Sequence, residues 1–504
     1  VTRAGTAPVV SGGFSVAGAL AGFDDDRLTR LLRCRPDLTT PPPRDMASLA
    51  ARLASQASVV ACVRELSQAD RQVLEALCLL PQPATASGLA ALLSDRVAAK
   101  ELDEPLERLA DRALVFRDRL GIRVLPVVEQ MDHPARLGPP LGELLGRRTV
   151  TEITQIAHRI GAQPRSPKAA LIDSVVAVLG DVDRARALLA KAPAGTAELV
   201  GRLAAETPWV RSPDLYSQLH YHRTHETPVL WLVRTGMLVP TDWETAVMPR
   251  EVGLALRGGR PFPDFAVQPP PVPVVRVDPD GVDRLAASRA LRAVADVAAL
   301  LEEWGERPAK LLKSGGVGVR EVRRAASVLD RSESDTGRII ELAALAGLVA
   351  EQPDAGSIMP SAACDDWLAL PAPGRWAGLV SAWLDAELLL AAAGEAAAGE
   401  ADAGGKPIPP LQPRAPEADA GRQRRMVLGV LAGFEPGHAA DADALRRRVV
   451  WEAPGVWDGA ATRVTLVRWV QDEAELLGLA ANGALSAAGR LVSAGRTEDA
   501  TAAL

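Results

Sequence analysis

The cations between Arg147 and Lys168 form the densest pattern in the chain able to do chemistry. Arg147, Arg148, Arg159, Arg165 and Lys168 face a single carboxylate there, Glu152. Guanidinium and ammonium groups in such excess suit phosphate, and a helix opening near Ser166 would add backbone N–H donors for an anion. The bland alternative is a helical hairpin with a solvated basic face. A second patch joins Lys310 and Lys313 to Arg320, Arg323 and Arg324. The three arginines share one helix face by their spacing. Glu321 and Asp330 are interleaved, so backbone contact and an ordinary charged surface weigh about equally. A third patch holds Arg422, Arg424 and Arg425, then Arg446, Arg447 and Arg448 beside Asp441 and Asp443. Runs of like charge are usually solvated faces. Trp451, Trp457 and Trp469 lie nearby and could stack on bases, but a helical core is their more ordinary place.

Other patterns carry less. Three of the six histidines, His220, His222 and His225, lie close enough for an outside chance of zinc or copper. Arg223 among them disfavours a cation, and a polar loop is the expectation. Gly399–Pro407 has the wrong spacing for a phosphate loop, with Pro407 where a magnesium-binding hydroxyl must stand. Ser314–Gly318 lacks the Lys-Ser/Thr ending. Asp472-Glu473-Ala474-Glu475 reads as a solvated helix face. Neither GxSxG, HExxH nor GxGxxG occurs. No catalytic residues, cofactor or resident metal are expected, and the reading is not an enzyme.

The elements that must position these cations are mostly helices. Leu28, Leu31 and Leu32 form one apolar face, Val73, Leu74, Leu77 and Leu80 another, and Val294, Val297, Leu300, Leu301 and Trp304 a third. Short strand–turn–strand signals recur. They are Leu114–Phe116 with Ile122–Leu125, Gly236–Pro240 with Ala246–Pro249, Gly347–Val349 with Ser357–Pro360, and a weaker Gly478–Ala480 with Ala484–Ser486. Each follows a helix, over 102–113, 227–235, 336–346 and 461–477, and two more helices precede each of these. Three helices and a hairpin make a winged-helix unit, and tandem units at intervals of roughly 110–130 residues give a beads-on-a-string protein.

The fold class is therefore mainly α, with tandem winged-helix units joined by helical segments and linkers rich in Pro, Gly and Ala. The expected boundaries are an N-terminal helical segment over 14–67, winged helix 1 over 68–133, a helical hairpin over 147–181, and winged helix 2 over 182–260. A Pro-rich linker over 261–288 precedes winged helix 3 over 289–370. A helix over 371–393 and a flexible linker over 394–421 lead to winged helix 4 over 422–504. The helix before the first hairpin carries Glu101, Asp103, Glu104, Glu107 and Asp111 against Lys100, Arg108 and Arg112. That face would repel phosphate.

Composition limits the partners. The net charge of -6 excludes a chain-wide basic surface, so nucleic acid must be held by local patches. Lysines number only six, and Arg with Ala, Gly and Pro dominates in the way a GC-rich genome produces, which weakens any argument from Arg abundance alone. Cys34, Cys62, Cys78 and Cys364 make no CxxC pair, so reduced, buried thiols are expected. The start lacks a secretory layout, and the uncharged run from Ala76 to Ser94 is broken by Pro81 and Pro83. The expected place is the cytoplasm, with nucleoid association possible.

Two resemblances sharpen these expectations. Thr149–Gly180, with Gly161 after the first helix and Lys168 opening the second, resembles the SAP motif, a two-helix DNA-binding hairpin. Asp26-Arg27-Leu28, Leu31–Leu38, Pro41-Pro42-Pro43, Leu49–Ser55 and Gln72–Leu77, with Leu238-Val239-Pro240, Pro249–Gly259 and Leu485–Arg490, look like the actinobacterial helicase-associated proteins. That family carries a domain similar to the N-terminal domain of XPB-type helicases, without a motor. In such proteins the XPB-like domain follows the helical region, and this chain ends about where it would begin, so a truncated or short homologue is implied. The leading expectation is a non-enzymatic, helicase-associated protein of DNA repair or DNA transactions. It would bind duplex or forked DNA without sequence preference, a helicase or nuclease partner, or both, and neither membrane nor small-molecule substrate. The alternative is a protein-interaction scaffold, or a partner resembling a transcription regulator, without direct DNA binding.

Overall fold

A computed structural model of the chain describes residues 15–94, 97–131, 137–205, 207–213, 215, 227–390, 408–413, 419–457 and 463–504. The chain is mainly helical, 59% helix and 9% strand, with small antiparallel sheets. It divides into two compact bodies, one of residues 1–63 and 69–268, the other of residues 64–68 and 269–504. No single helix among the described residues is long and apolar enough to cross a membrane.

The first body opens with α1 (Val16–Ala21), α2 (Asp25–Cys34), α3 (Met46–Leu53) and α4 (Gln56–Arg64). Side chains of Ser15, Asp24 and Asp45 accept from backbone N–H groups at the starts of the first three, satisfying donors that a helix leaves orphaned. Then come α5 (Gln68–Leu79), α6 (Ala86–Leu93), α7 (Asp103–Asp111), β1 (Val115–Asp118) and β2 (Gly121–Val124). Ala84, between α5 and α6, pairs antiparallel with Ile122. The order is helix, strand residue, two helices, hairpin.

Next follow α8 (Leu141–Gly146), α9 (Val150–Ile160), α10 (Lys168–Leu179), α11 (Val182–Leu189) and α12 (Thr196–Ala205). They lead to β3 (Trp209–Arg211), α13 (Pro228–Arg234), β4 (Val239–Pro240), β5 (Thr245–Val247) and α14 (Arg250–Leu256). The sheet order is β3-β5-β4. One core takes Ile153, Ala157, Leu171 and Val175 of the hairpin together with Trp231, Leu238 and Val247. The hairpin over 147–181 is therefore packed into the second unit rather than standing as a separate bead.

The second body contains β6 (Val274–Arg276), α15 (Pro279–Glu306), β7 (Ala309–Lys310), α16 (Val319–Leu329), α17 (Glu333–Leu345), β8 (Val349–Gln352) and β9 (Ser357–Pro360). Their sheet order is β7-β9-β8. After α18 (Ala363–Ala369) and α19 (Ala372–Asp385) come α20 (Ala420–Ala432), β10 (His438–Ala440), α21 (Ala442–Glu452), α22 (Arg463–Leu476), β11 (Ala480–Ala481), β12 (Ala484–Leu485), α23 (Ala487–Ser493) and α24 (Thr497–Ala500).

Three expectations are corrected here. Residues 289–370 and 422–504 are not beads on a string. One continuous core holds Trp304, Ile339, Trp376, Trp383, Trp457 and Trp469, because neither unit alone can cover its apolar faces. The segment over 261–288 is not merely a linker. Val274–Arg276 pairs with His438–Ala440, and helix α15 already starts at Pro279, where a ring-fixed φ suits a first helical turn. The flexible linker over 394–421 has a docked stretch within it. The N–H of Val317 donates to Pro410 O at 2.7 Å, and that of Leu411 to a Glu341 carboxylate oxygen at 2.9 Å. Its residues 394–407 and 414–418 lie outside the described residues.

The helix before each hairpin ends in the same way. Ala113, Gly236, Gly347 and Gly478 have φ of 51°, 75°, 70° and 70°. A left-handed residue turns the chain out of the helix, and a following N–H reaches back to a last-turn carbonyl: Leu114 to Leu109, Leu238 to Leu232, Leu348 to Ala343 and Leu479 to Ala474. A Cβ on Gly347 would meet nothing within 4 Å, whereas one on Gly478 would lie 2.1 Å from Ala286 O. Gly347→Ala is therefore expected to cost about 1–2 kcal/mol through the left-handed φ alone. Gly478→Ala should cost clearly more, because α15 must move as well. Urea unfolding midpoints of the two variants check the ranking.

Candidate functional site

The α9–α10 hairpin is set by local rules. Thr149 and Glu152 form a reciprocal capping box at the start of α9, and Gly161, with φ of 72°, ends it. These fix where the five cations emerge. Arg147 pairs with Glu143 at 2.9 Å, both exposed, and Arg148 pairs with Glu152 at 3.6 Å and donates to Pro240 O. Lys168 Nζ donates to Gly146 O at 2.8 Å, so this lysine ties α10 back to α8. Arg159 is exposed on α9 and engaged in an interaction. Arg165 is exposed without a partner among the described residues. The patch is thus less free than its charge suggests.

Two concave surfaces flank the hairpin. One, of about 610 Å³, lies between α9 and the α13–β4 region and carries Arg148, Arg159 and Arg234 with Glu152 and Asp242. The other, of about 720 Å³, lies between α10, α11 and the loop joining α9 to α10. Arg165, Arg184 and Lys191 line it. Arg184 and Lys191 escaped the sequence reading, whose charge window closed at Lys168. Two cations that closely follow the hairpin in sequence, on α11 and in the turn after it, were the signal that could have found them.

In the second body Lys310, Lys313 and Arg320 surround the turn between β7 and α16, all exposed and without partners among the described residues. Their neighbours Arg323 and Arg324 are engaged, Arg323 with Glu333 at 2.8 Å and Arg324 with Glu321 at 2.7 Å. The third patch disperses. Arg422 pairs with Glu65 of the same body at 2.8 Å, Arg425 with Asp385 at 2.6 Å, Arg446 with Asp443, and Arg448 with Glu452 at 2.6 Å. Only Arg447 of that set is exposed and unpartnered among the described residues.

Arg424 is not a surface group at all. Its guanidinium is fully buried, 3.2 Å from an oxygen of Glu473, and donates to the carbonyls of Trp383, Ala386 and Leu388. Trp383 Nε1 donates to the same Glu473 oxygen at 2.6 Å. Glu473, expected on a solvated face, is therefore a core residue, because α22 turns that side into α19 and α20. The nearby Trp457 and Trp469 are core as well, at 1% and 2% exposure.

The helices before the hairpins face inward. In α13, Leu230, Trp231, Leu232 and Val233 are buried. Along α17 only Glu333 is exposed, and among the described side chains of α22 only Arg468. The exposed residues of α7 are Glu104 and Glu107. Among the described side chains none of the four presents a cationic face to a DNA groove.

His220, His222 and His225 lie outside the described residues, and no metal-holding cluster occurs among the described ones. A cleft of about 300 Å³ holds Cys78 near Glu75, Glu129 and Arg250. Burial, with lesser contributions from Glu129 and Glu75, pushes the Cys78 thiol up to about 12. A thiol held protonated is a poor nucleophile. Compared with protein-family models, curated proteins and solved structures, the chain finds no match.

Two outcomes follow from this geometry. Arg424→Met leaves Glu473 charged and buried and is expected to destabilise the second body by about 3–5 kcal/mol, read as a lowered urea midpoint. Iodoacetamide at pH 8 should leave Cys78 unmodified in the folded protein, because the reactive thiolate forms only as pH rises towards 12. Mass mapping of the alkylated peptides checks it.

Proposed function

We propose that the chain is a non-enzymatic, helicase-associated protein that holds DNA by its phosphates, in repair or other DNA transactions. Four winged-helix units form its frame. What supports that frame is the recurrence of helix, strand, two helices and hairpin; in the first three units the first strand lies against the last one, while in the fourth β10 pairs with β6 instead. In the second unit the segment of the middle helix falls outside the described residues. The observation that carries the DNA reading is the group of Lys310, Lys313 and Arg320 around one turn, three exposed charges that no carboxylate of the described residues neutralises. Such groups give affinity without sequence readout. The inward third helices fit the same reading, since base edges in the major groove would need an exposed one.

A second reading is a protein scaffold, favoured by the acidic outer face of α7 and by the net charge of -6. Fluorescence anisotropy of labelled duplex, single-stranded and forked DNA separates the two. Binding is expected to weaken linearly in the logarithm of salt. Lys313→Ala with Arg320→Ala should lower affinity for every sequence and make the salt slope shallower by roughly 2. Absence of binding at low salt leaves the scaffold reading, and an unchanged slope in the double variant removes this turn from the contact surface.

A further inference from the structure

The groove between α10, α11 and the α9–α10 loop has a composition that ordinary packing does not call for. Arg165 comes from the loop, Arg184 from α11 and Lys191 from just beyond its end. All three are exposed, and none of their side chains has a hydrogen-bond or ion-pair partner among the described residues. Other exposed arginines of this body do find a carboxylate, as Arg147 does with Glu143 and Arg211 with Glu244. Facing cations left unpaired across a concavity repel one another, and an anion between them relieves that repulsion.

The walls explain the placement. Arg184 and Leu188, four apart on α11, line one side together with Lys191 from the turn that follows. Leu188 is half-buried against the core, while the two cations are exposed. Gly161 with its left-handed φ turns the chain so that Gln163 and Arg165 close the end of the groove. Asp173 is the one carboxylate among the lining residues, and the remaining polar groups, Gln163 and Ser174, are neutral. Three cations against one anion leave the groove positive within a chain that is acidic overall.

We propose that this groove binds the phosphodiester backbone of a nucleic acid, with Arg165, Arg184 and Lys191 as its phosphate contacts and Asp173 as a counterweight that limits affinity. The proposal rests on the DNA reading above and extends it by joining Arg184 and Lys191, which lie outside the SAP-like hairpin, to the hairpin's Arg165 in one groove. A small phosphate ligand fits less well, because discrete ligands are held by converging, largely buried polar groups, and these three cations are long, flexible and exposed. A run of phosphates needs no such convergence.

The test uses the full chain and labelled single-stranded and duplex DNA in anisotropy titrations across a salt series. Arg184→Ala with Lys191→Ala removes two exposed groups, and an unchanged thermal melt shows that the fold is intact. The double variant is expected to bind about tenfold more weakly at physiological salt, with a slope shallower by roughly 1.4 on single strands and 1.8 on duplex. Asp173→Asn should move the other way and tighten binding a few-fold. An unchanged affinity and slope in the double variant, while the Lys313/Arg320 variant still loses affinity, overturns the groove and leaves the DNA reading standing. No DNA binding by the unmodified chain overturns both. Binding of labelled polyglutamate that the double variant abolishes, with DNA binding intact, overturns the proposal and assigns the groove to an acidic protein segment.

Discussion

A guanidinium with no access to water must have its donors satisfied by protein, and that requirement organises the second body. Arg424 meets it by gathering the Glu473 carboxylate and the carbonyls of Trp383, Ala386 and Leu388 around one point. The groups come from α19, the turn after it, α20 and α22. Misplacing any of these elements leaves a charge or a carbonyl stranded, at a cost comparable to much of a domain's stability. The Trp383 indole both donates to Glu473 and lies 5.1 Å from the guanidinium. Apolar packing alone tolerates small shifts of helix against helix, but this set of directed bonds does not.

That arrangement has a functional counterpart. A helix face that carries half of a buried charge pair cannot also lie in a DNA groove. In α22 the burial of Glu473, and in α17 the burial of Ile339 and Ile340, commit those faces to the interior. Charge available to a polyanion is displaced to turns and rims, where Lys313 and Arg184 stand. Contacts of that kind hold a backbone and slide along it, and they read no bases.

The hairpins and the helices before them were legible because their signals are local. Gly236, Gly347 and Gly478 stand where the chain must turn left-handed, and Asn482-Gly483 marks a tight turn. What lay beyond the sequence is what covers each face. Periodicity identifies the apolar side of α17 but not the partner that buries it. Arg424 and Arg425 are adjacent and chemically identical, and about 100° of helix rotation sends one into the core and the other to Asp385 at the surface. Glu473 is hidden in the same way between Asp472 and Glu475. The Pro- and Ala-rich segments read as linkers by composition, yet Val274–Arg276 and Pro410-Leu411 find backbone partners far along the chain. The groove cations were missed because α11 joins the hairpin in space and not in the charge window.

The pairing of β6 with β10 sets an order on synthesis. Val274–Arg276 leaves the ribosome long before His438–Ala440 exists, so for that interval the strand has a free edge and two exposed valines, Val274 and Val275. An open apolar edge is an invitation to pair with another nascent chain. Pro269, Pro270, Pro271 and Pro273 stand immediately upstream and lack the N–H that a longer ladder would need. The proline run thus bounds the edge of β6 on its upstream side, limiting how far a ladder with any other strand could extend.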